Sequence, residues 1–468
     1  MSDAIVVGSG PNGLAAAVEL ARNGLDVTVL EAAEEIGGGT RSAELTVPGV
    51  LHDVCSGVHP MGIGSPYLKG LGLDRHGLEW ALPEIDIAHP LDDGTAVAVR
   101  SLKETAAGLG ADGRTWERLF GPLAAGFDRL AEDVMGPILR VPSHPVRLAG
   151  FGLRALPPAT VLARALRTPR ARALFAGVAA HHYAPLSAPA SSAIGALMIG
   201  AVHRVGWPVP VGGSRMISRS LASLLAEHGG KIETGVRVGS LDELGRARTI
   251  ILDLAPRDVV RLAGDRLPAA VRRSYLRYRH GPAAYKLDLA VQGGVPWRDE
   301  ACRKAVTLHL GGTIEEIADA ERRMWRGEMP ERPFVLVAQQ YLADPSRSAG
   351  DVHPIYAYAH VPAGYAGDGT EAILRQIERF APGVRERIVG MAATPPAAFA
   401  EHNANYLGGD ILTGANTLRQ IVLRPRPALN PYATGVPGVF LCSAATPPGA
   451  GVHGMGGYHA ARAALRAR

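Results

Sequence analysis

Apolar residues in this chain come in short runs punctuated by glycine and proline. Ala4–Val7 is one such run, rich in β-branched residues, and Gly8-Ser9-Gly10-Pro11-Asn12-Gly13 follows it. Helical spacing then carries from Leu14 to Ala21 until Gly24 stops it, and residues 26–30 read as a second strand that ends at Glu31. Strand, turn, helix and strand in this order predict a parallel, doubly wound α/β sheet. From about 75 to 200 the pattern predicts mostly helix, broken by Pro142, Pro145, Pro157 and Pro158. Beyond Val209 it predicts a loop, an amphipathic helix over 216–228, a Gly-Gly stop and a strand carrying Val236. Further strands are expected at 249–254, 284–291 and 334–340, and a helix at 371–380. The last elements read as strand 438–443, a glycine loop and helix 458–466. No internal repeat or low-complexity linker is visible.

Composition narrows the picture. Of 468 residues, 47% are hydrophobic and 20% charged, which excludes a disordered chain. Aromatic residues make up only 5%, too few for a single-stranded nucleic-acid stacking platform, so no nucleic-acid partner is expected. Cys55, Cys302 and Cys442 are far apart and odd in number, which argues against a disulfide framework, a zinc ribbon or a redox dithiol and for a reducing, cytoplasmic setting. No His/Cys/Asp group has metal-ligand spacing, and no Ser-His-Asp arrangement is apparent, so no metal is expected. No segment reads as a membrane span: residues 4–18 lack a positive flank, and residues 173–202 are broken by His181, His182 and several prolines.

Charge adds one regional feature. The formal net charge is +5, and only five residues are lysine, so arginine dominates. Between Asp133 and Glu227 there is no acidic residue, while ten arginines lie from Arg140 to Arg219. Arg147, Arg154, Arg164 and Arg167 are interspersed with Leu148, Phe151, Leu153, Leu156, Val161, Leu162 and Leu166. Such a basic amphipathic stretch fits either a solvated helical face or peripheral contact with an anionic membrane through residues 140–172.

Three glycine-rich motifs carry the chemistry. In the first, Gly8 permits a tight turn, Gly10 lets backbone approach a pyrophosphate, and Gly13 allows helix and strand to pack closely. Ser9, Pro11 and Asn12 complete the loop, and the helix N-terminus faces the anion. Glu31 is placed to accept from a ribose hydroxyl. In the second, Glu31-Ala32-Ala33-Glu34-Glu35-Ile36-Gly37-Gly38-Gly39-Thr40-Arg41, the glycines let the chain run beneath a cofactor longer than NAD, which suits FAD, and Arg41 can pair with a phosphate. In the third, strand 437–443 runs into Pro447-Pro448-Gly449-Ala450-Gly451-Val452-His453-Gly454-Met455-Gly456-Gly457 and a helix. Amides at such a helix start, from Gly451, Val452, His453 and Met455, can serve the flavin edge where negative charge accumulates.

These motifs, in this order and at the two chain ends, resemble those of FAD-dependent oxidoreductases of the phytoene desaturase-like group, and more broadly the flavin amine oxidase superfamily. Two further segments are similar to that group: residues 401–411, with Gly408-Gly409-Asp410, and Trp207-Pro208-Val209-Pro210-Val211-Gly212-Gly213 before a helix. The resemblance implies a discontinuous Rossmann-type FAD domain (residues 1–75, 206–265 and 421–468) with an inserted α+β substrate domain (76–205 and 266–420). It also implies that Val236 binds adenine through its backbone and that Ser443 lies near the flavin phosphates.

The resemblance further implies that the flavin takes a hydride from a hydrophobic substrate while the protein supplies placement and electrostatics. His453, Tyr458, Arg204 and the pair His181/His182 are the candidate substrate-facing groups, each with a structural role as its alternative. Among five scattered lysines none marks itself as the flavin-facing lysine of amine oxidases. Three readings stand: a desaturase acting on an isoprenoid or natural-product intermediate, an amine or amino-acid oxidase, and a flavin-binding protein whose role is interaction. Oxygen, a quinone and NAD(P) are all open as electron acceptor.

Overall fold

The apolar runs at Ala4–Val7 and Val27–Leu30 are the inner strands of a parallel sheet covered on both faces, which is why they lack polar alternation. The computed structural model describes residues 2–245 and 247–468. The strand order is Val439–Leu441, Thr249–Leu252, Ala4–Val7, Val27–Leu30, Lys231–Glu233, with every neighbour parallel. From Ala4–Val7 the chain builds outward first to one side and then to the other. A crevice therefore opens at the carboxyl ends of Ala4–Val7 and Thr249–Leu252, the switch point where doubly wound sheets bind ligands. The Gly8–Gly13 loop turns into helix Pro11–Arg22 at that crevice, with proline in its first turn.

The same helix packs closely against the C-terminal helix Met455–Ala467. Ala15, Ala16, Ala17, Ala460, Ala461 and Ala464 are all buried, and the Gly457 amide donates to Asn12 Oδ1 (3.4 Å). A Cβ on Gly13 would overlap the Gly8 carbonyl, and one on Gly457 would overlap the Asn12 carbonyl. Small residues here are a condition of the packing.

The second sheet has seven strands, in the order Ile388–Thr394, Ala283–Gln292, Val352–Val361, Val335–Ala338, Ala305–Leu310, Ile85–Pro90, Ala96–Val99. It is antiparallel except where Ala305–Leu310 runs parallel to Ile85–Pro90. Helix Thr370–Phe380 covers one face through Ile373, Ile377 and Phe380, and the helices of residues 113–205 cover the other. Among the described residues no helix is long and apolar enough to cross a membrane.

Several elements differ from the sequence expectation. Three strands lie inside the region expected to be mostly helical: Ile85–Pro90 and Ala96–Val99 gain their stability from the edge of the second sheet, and the short Trp80–Ala81 from pairing with Val209–Pro210, rather than from their own short patterns. The strand expected to carry Val236 ends at Glu233, since Gly235 turns the chain with φ +73°. The final helix starts at Met455, one turn before Tyr458.

A buried ion network joins the segments that return the chain to the first sheet. Arg347 is fully buried; its Nη1 lies 2.6 Å from Asp53 Oδ2 and its Nε 3.0 Å from Asp344 Oδ2, while Nη2 donates to the Pro210 carbonyl (2.8 Å). Asp53 also accepts from Ser42 Oγ (2.6 Å) and the Ser214 amide (2.7 Å). Burial raises the Asp53 pKa, but the Arg347 charge and these hydrogen bonds outweigh it and hold the carboxyl below its ordinary value. Replacing Arg347 by Met strands two buried carboxylates, so Arg347→Met should lower unfolding free energy by about 3–5 kcal/mol in a urea titration. A midpoint equal to that of the wild type would show that the network carries no such weight.

Candidate functional site

The switch-point crevice continues into a cavity of about 860 Å³ that reaches the second sheet. Its first half is lined by the glycine motifs. Gly8, Gly10, Pro11 and Asn12 come from the first loop, Glu31, Ala32, Gly38, Gly39 and Arg41 from the second motif, and Gly449, Ala450, Gly451, Val452 and His453 from the third. Val236, Asp253, Asp258 and Arg261 close this end.

Glu31 is held in place before any ligand arrives. Its Oε2 accepts from the Ser9 amide (2.8 Å) and Ser9 Oγ (2.5 Å), its Oε1 accepts from the Ala33 amide (2.9 Å), and Arg41 Nη2 stands 3.6 Å from Oε1. Arg41 in turn donates to the carbonyls of Glu35 (3.1 Å) and His402 (3.0 Å), joining the second motif to residues 401–406. The Val236 amide is spent on the Glu31 carbonyl (2.8 Å), so of its two backbone polar groups only the carbonyl is left for a base. A Cβ on Gly10 would lie 2.7 Å from Asp253 Oδ2, so only glycine lets the loop pass there. A glycine cradle at a helix N-terminus, an oriented carboxylate and an adjacent guanidinium together fit a dinucleotide cofactor.

The far end is different in kind. Ile194, Leu197, Met198, Trp207, Leu336, Ala338, Tyr356, Tyr358, Ile411 and Leu412 form an apolar chamber. Its polar groups are His181, Thr413 and Asn416, while Arg424 stands at the border with the glycine-motif half, against Gly449 and with Nη1 donating to the Ala444 carbonyl (3.4 Å). His181 Nε2 is 3.0 Å from His309 Nε2, and burial drives its pKa down to about 3, so it is neutral. Arg424 donates to Asn416 Oδ1 (2.9 Å) and to the Gln420 carbonyl (3.2 Å).

Several residues expected in the site support it from behind or lie elsewhere. Ser9, Gly13 and Gly37 are beneath the cavity wall: Ser9 is committed to Glu31, the Gly13 amide to Asp253 Oδ2 (2.9 Å), and the Gly37 amide to the Ser9 carbonyl (3.1 Å). Ser443 is buried and its Oγ accepts from the Ala445 amide (3.3 Å), while its neighbour Ala444 reaches the cavity. The Met455 amide donates to His453 Nδ1 (3.1 Å), so it is taken, and the Met455 side chain packs in the core between the two helices. His453 lines the cavity but uses its ring to cap the final helix. Tyr458 points away from the cavity and stacks on Tyr67 (ring centroids 4.7 Å apart). Arg204 lies on the surface paired to Asp128 (2.8 Å), because its position in the last turn of helix Ser192–Val205 faces outward. His182 is buried behind the cavity wall.

The sequence reading missed Asp253, Tyr356, Tyr358 and Arg424. Asp253 alone had a local signal, a carboxylate at the end of an otherwise apolar strand. Lys286, wholly buried, pairs with Asp288 behind Tyr356 (4.4 Å above its ring), and among the described residues no lysine lines the cavity.

Burial lowers His59, His89, His182, His203, His453 and His459 from 6.5 to about 4. Each stays neutral in the fold and takes a proton on unfolding, so their stabilisation is full above pH 6.5 and is lost as pH falls toward 4. Asp86 and Asp253, raised to about 7 by burial, act in the opposite sense but are two against at least eight, since His402 is lowered to about 4 and His181 to about 3 as well. The thermal midpoint should therefore fall steadily over that interval, and a level profile would contradict the burial of these imidazoles.

Comparison with known proteins agrees with this geometry. Residues 6–69 match an NAD(P)-binding Rossmann-like domain family. Over 99% of this chain and 93% of the relative, the sequence is 24% identical to pyridine nucleotide-disulfide oxidoreductase domain-containing protein 2 of Rattus norvegicus. It is 31% identical to hydroxyneurosporene desaturase of Cereibacter sphaeroides over 57% of this chain and 56% of that one. Among solved structures, an oxidoreductase from Methanosarcina mazei superposes with a TM-score of 0.62 at 15% identity over 99% of both chains. Putrescine oxidase bound to putrescine does so at 0.61 and 17% identity over 99% of this chain and 98% of that one. The fold is thus shared with these solved structures, and residues 6–69 form its Rossmann-like part. All three cysteines are free and buried, so this chain shows no dithiol to match the first relative's name.

Proposed function

We propose that the protein is an FAD-dependent oxidoreductase that dehydrogenates an uncharged, hydrophobic small molecule of the isoprenoid or natural-product-intermediate kind. The observation that carries this reading is the division of the cavity. Carboxylates occur among the glycine motifs, residues 401–406 and the segment 253–258, whereas the apolar residues are accompanied by neutral His181, Thr413 and Asn416, with the cation Arg424 at the border against Gly449. A chamber of this kind accepts an uncharged body and offers an ammonium group no carboxylate to pair with. The likeness to hydroxyneurosporene desaturase supports the same direction.

Bound FAD supplies the two-electron acceptor for such a reaction. The chain's own residues bind and orient. Glu31, fixed by Ser9 and Ala33, addresses the ribose, Arg41 the phosphates, and the Gly449–His453 loop the flavin end. Trp207, Leu336, Tyr356 and Tyr358 exclude water around the reacting carbon atoms. An amine oxidase reading has the shared fold of putrescine oxidase behind it, yet no lysine among the described residues lines the cavity, and no carboxylate stands in the chamber to receive a cation.

Protein purified under native conditions should show flavin absorbance. Under anaerobic conditions a lipid extract should bleach it, while a panel of amines should not; bleaching by amines alone would assign the oxidase instead. Leu197→Trp, which fills the chamber, should leave FAD content unchanged and raise the KM for the active lipid by about tenfold or more.

The proposal extends to the arginine-rich segment. Helix Pro145–Ala155 packs behind helix Ser192–Val205, which lines the chamber through Ile194, Leu197 and Met198. Val141, Val146 and Leu153 are 92%, 85% and 76% exposed. Arg154 is committed to the carbonyls of Leu119, Gly150 and Arg118, leaving Arg147, Arg164 and Arg167 exposed beside these apolar groups. This face would rest on an anionic membrane surface holding the substrate. Vesicles rich in anionic lipid should carry the protein upward in a flotation gradient at low salt, and failure to float removes the membrane from the proposal.

A further inference from the structure

Asp253 stands at the crevice end of the parallel sheet, against Gly10 and Gly13 of the first glycine loop. It directly follows strand Thr249–Leu252, at the switch point, and lines the cavity facing the Gly8–Gly13 loop. Its Oδ2 accepts the Gly13 amide (2.9 Å), one of the free amides at the start of helix Pro11–Arg22. Its backbone is anchored by Asn405, whose Nδ2 donates to the Asp253 carbonyl (3.0 Å) and whose Oδ1 accepts the Ala255 amide (2.7 Å). The side chain therefore has little freedom to withdraw. Asp253 is only 8% exposed, and among the described residues no donor reaches its Oδ1. An unpartnered carboxylate oxygen stands in a crevice built to receive a diphosphate.

The surroundings do not neutralise a charged Asp253. Glu31, at the end of strand Val27–Leu30, is a second carboxylate, and Arg41 stands beside Glu31 rather than beside Asp253. From strand Val439–Leu441 the facing group is the Cys442 thiol, which burial keeps protonated. On helix Pro256–Ala263, Arg261 is paired with Asp258 (3.4 Å). Burial, with Glu31 adding to it, already raises the Asp253 pKa to about 7 before any phosphate is present. The two negative charges of a diphosphate act in the same direction.

We propose that Asp253 enters the cofactor complex as the neutral acid: its Oδ2 keeps the Gly13 amide, its Oδ1–H donates to a pyrophosphate oxygen, and each FAD is taken up together with one proton. This rests on FAD being the cofactor and goes beyond that reading, because a dinucleotide site needs no acid at this point. The sign follows from linkage. Asp253 has a higher pKa in the complex than in the apoprotein, so affinity is full at low pH and falls as pH rises through the apoprotein value.

The test uses apoprotein and FAD. Flavin fluorescence titrations should show the wild-type Kd rising by about tenfold per pH unit above pH 7. Asp253→Asn keeps an acceptor for Gly13 and adds a permanent donor, so its Kd should be nearly flat with pH and, at about pH 8.5, more than tenfold below the wild-type value. Calorimetry of the wild type in two buffers of different ionisation enthalpy should show close to one proton absorbed per FAD at that pH, a reading independent of how the variant folds. Binding of FAD with no proton absorbed, or equal pH slopes in both proteins, overturns the role of Asp253 while leaving the cofactor assignment intact. Failure of the wild type to bind FAD at any pH overturns both.

Discussion

The close crossing of the first and last helices governs this structure. Gly457 allows Pro11–Arg22 and Met455–Ala467 to approach until its backbone meets the Asn12 carbonyl and the Ala16 amide, and the Asn12 side chain bridges the two helices. That contact turns the first helix so that its N-terminus faces the switch-point crevice, and it sets the third glycine loop against the first. Position for position, small residues here exchange side-chain burial for backbone proximity. Without it the crevice has two separate walls and no defined floor.

The cavity inherits its two characters from the two sheets. At the parallel sheet, strand ends present amides, Glu31 and Arg41, groups suited to an extended anion. At the mixed sheet, one face of the long strands presents Leu336, Ala338, Tyr356 and Tyr358, which offer no charge. Burial enforces the contrast by keeping the neighbouring imidazoles neutral. Polar and apolar ligand ends are thus sorted by the architecture before any individual contact is considered.

What could be read from the sequence follows from how local its causes are. The Gly8–Gly13 spacing, the position of Glu31 and the third glycine loop encode backbone conformation, and a backbone constraint is visible in the residues that satisfy it. Three misplacements have non-local causes. Tyr458 lies one turn into helix Met455–Ala467 and stacks on Tyr67, a partner nearly four hundred residues earlier in the chain. Arg204 faces Asp128, a partner many residues away. The strands at Ile85–Pro90 and Ala96–Val99 are too short to announce themselves and exist because Ala305–Leu310 offers an edge. Tyr356, Tyr358 and Arg424 became site residues only through tertiary placement, since aromatic residues on a strand and an arginine after a short helix carry no spacing signal.

The strand order has a consequence for biosynthesis. Ala4–Val7 lies at the centre of its sheet, yet one neighbour, Thr249–Leu252, and the outer strand Val439–Leu441 emerge from the ribosome long afterward. Until then the earliest strand offers an unpaired apolar edge, and its helix an unroofed alanine face, to whatever meets the nascent chain. The crevice is walled on all sides only once strand Val439–Leu441 and helix Met455–Ala467 are in place, so a chain halted before that helix is a sticky intermediate rather than a smaller enzyme.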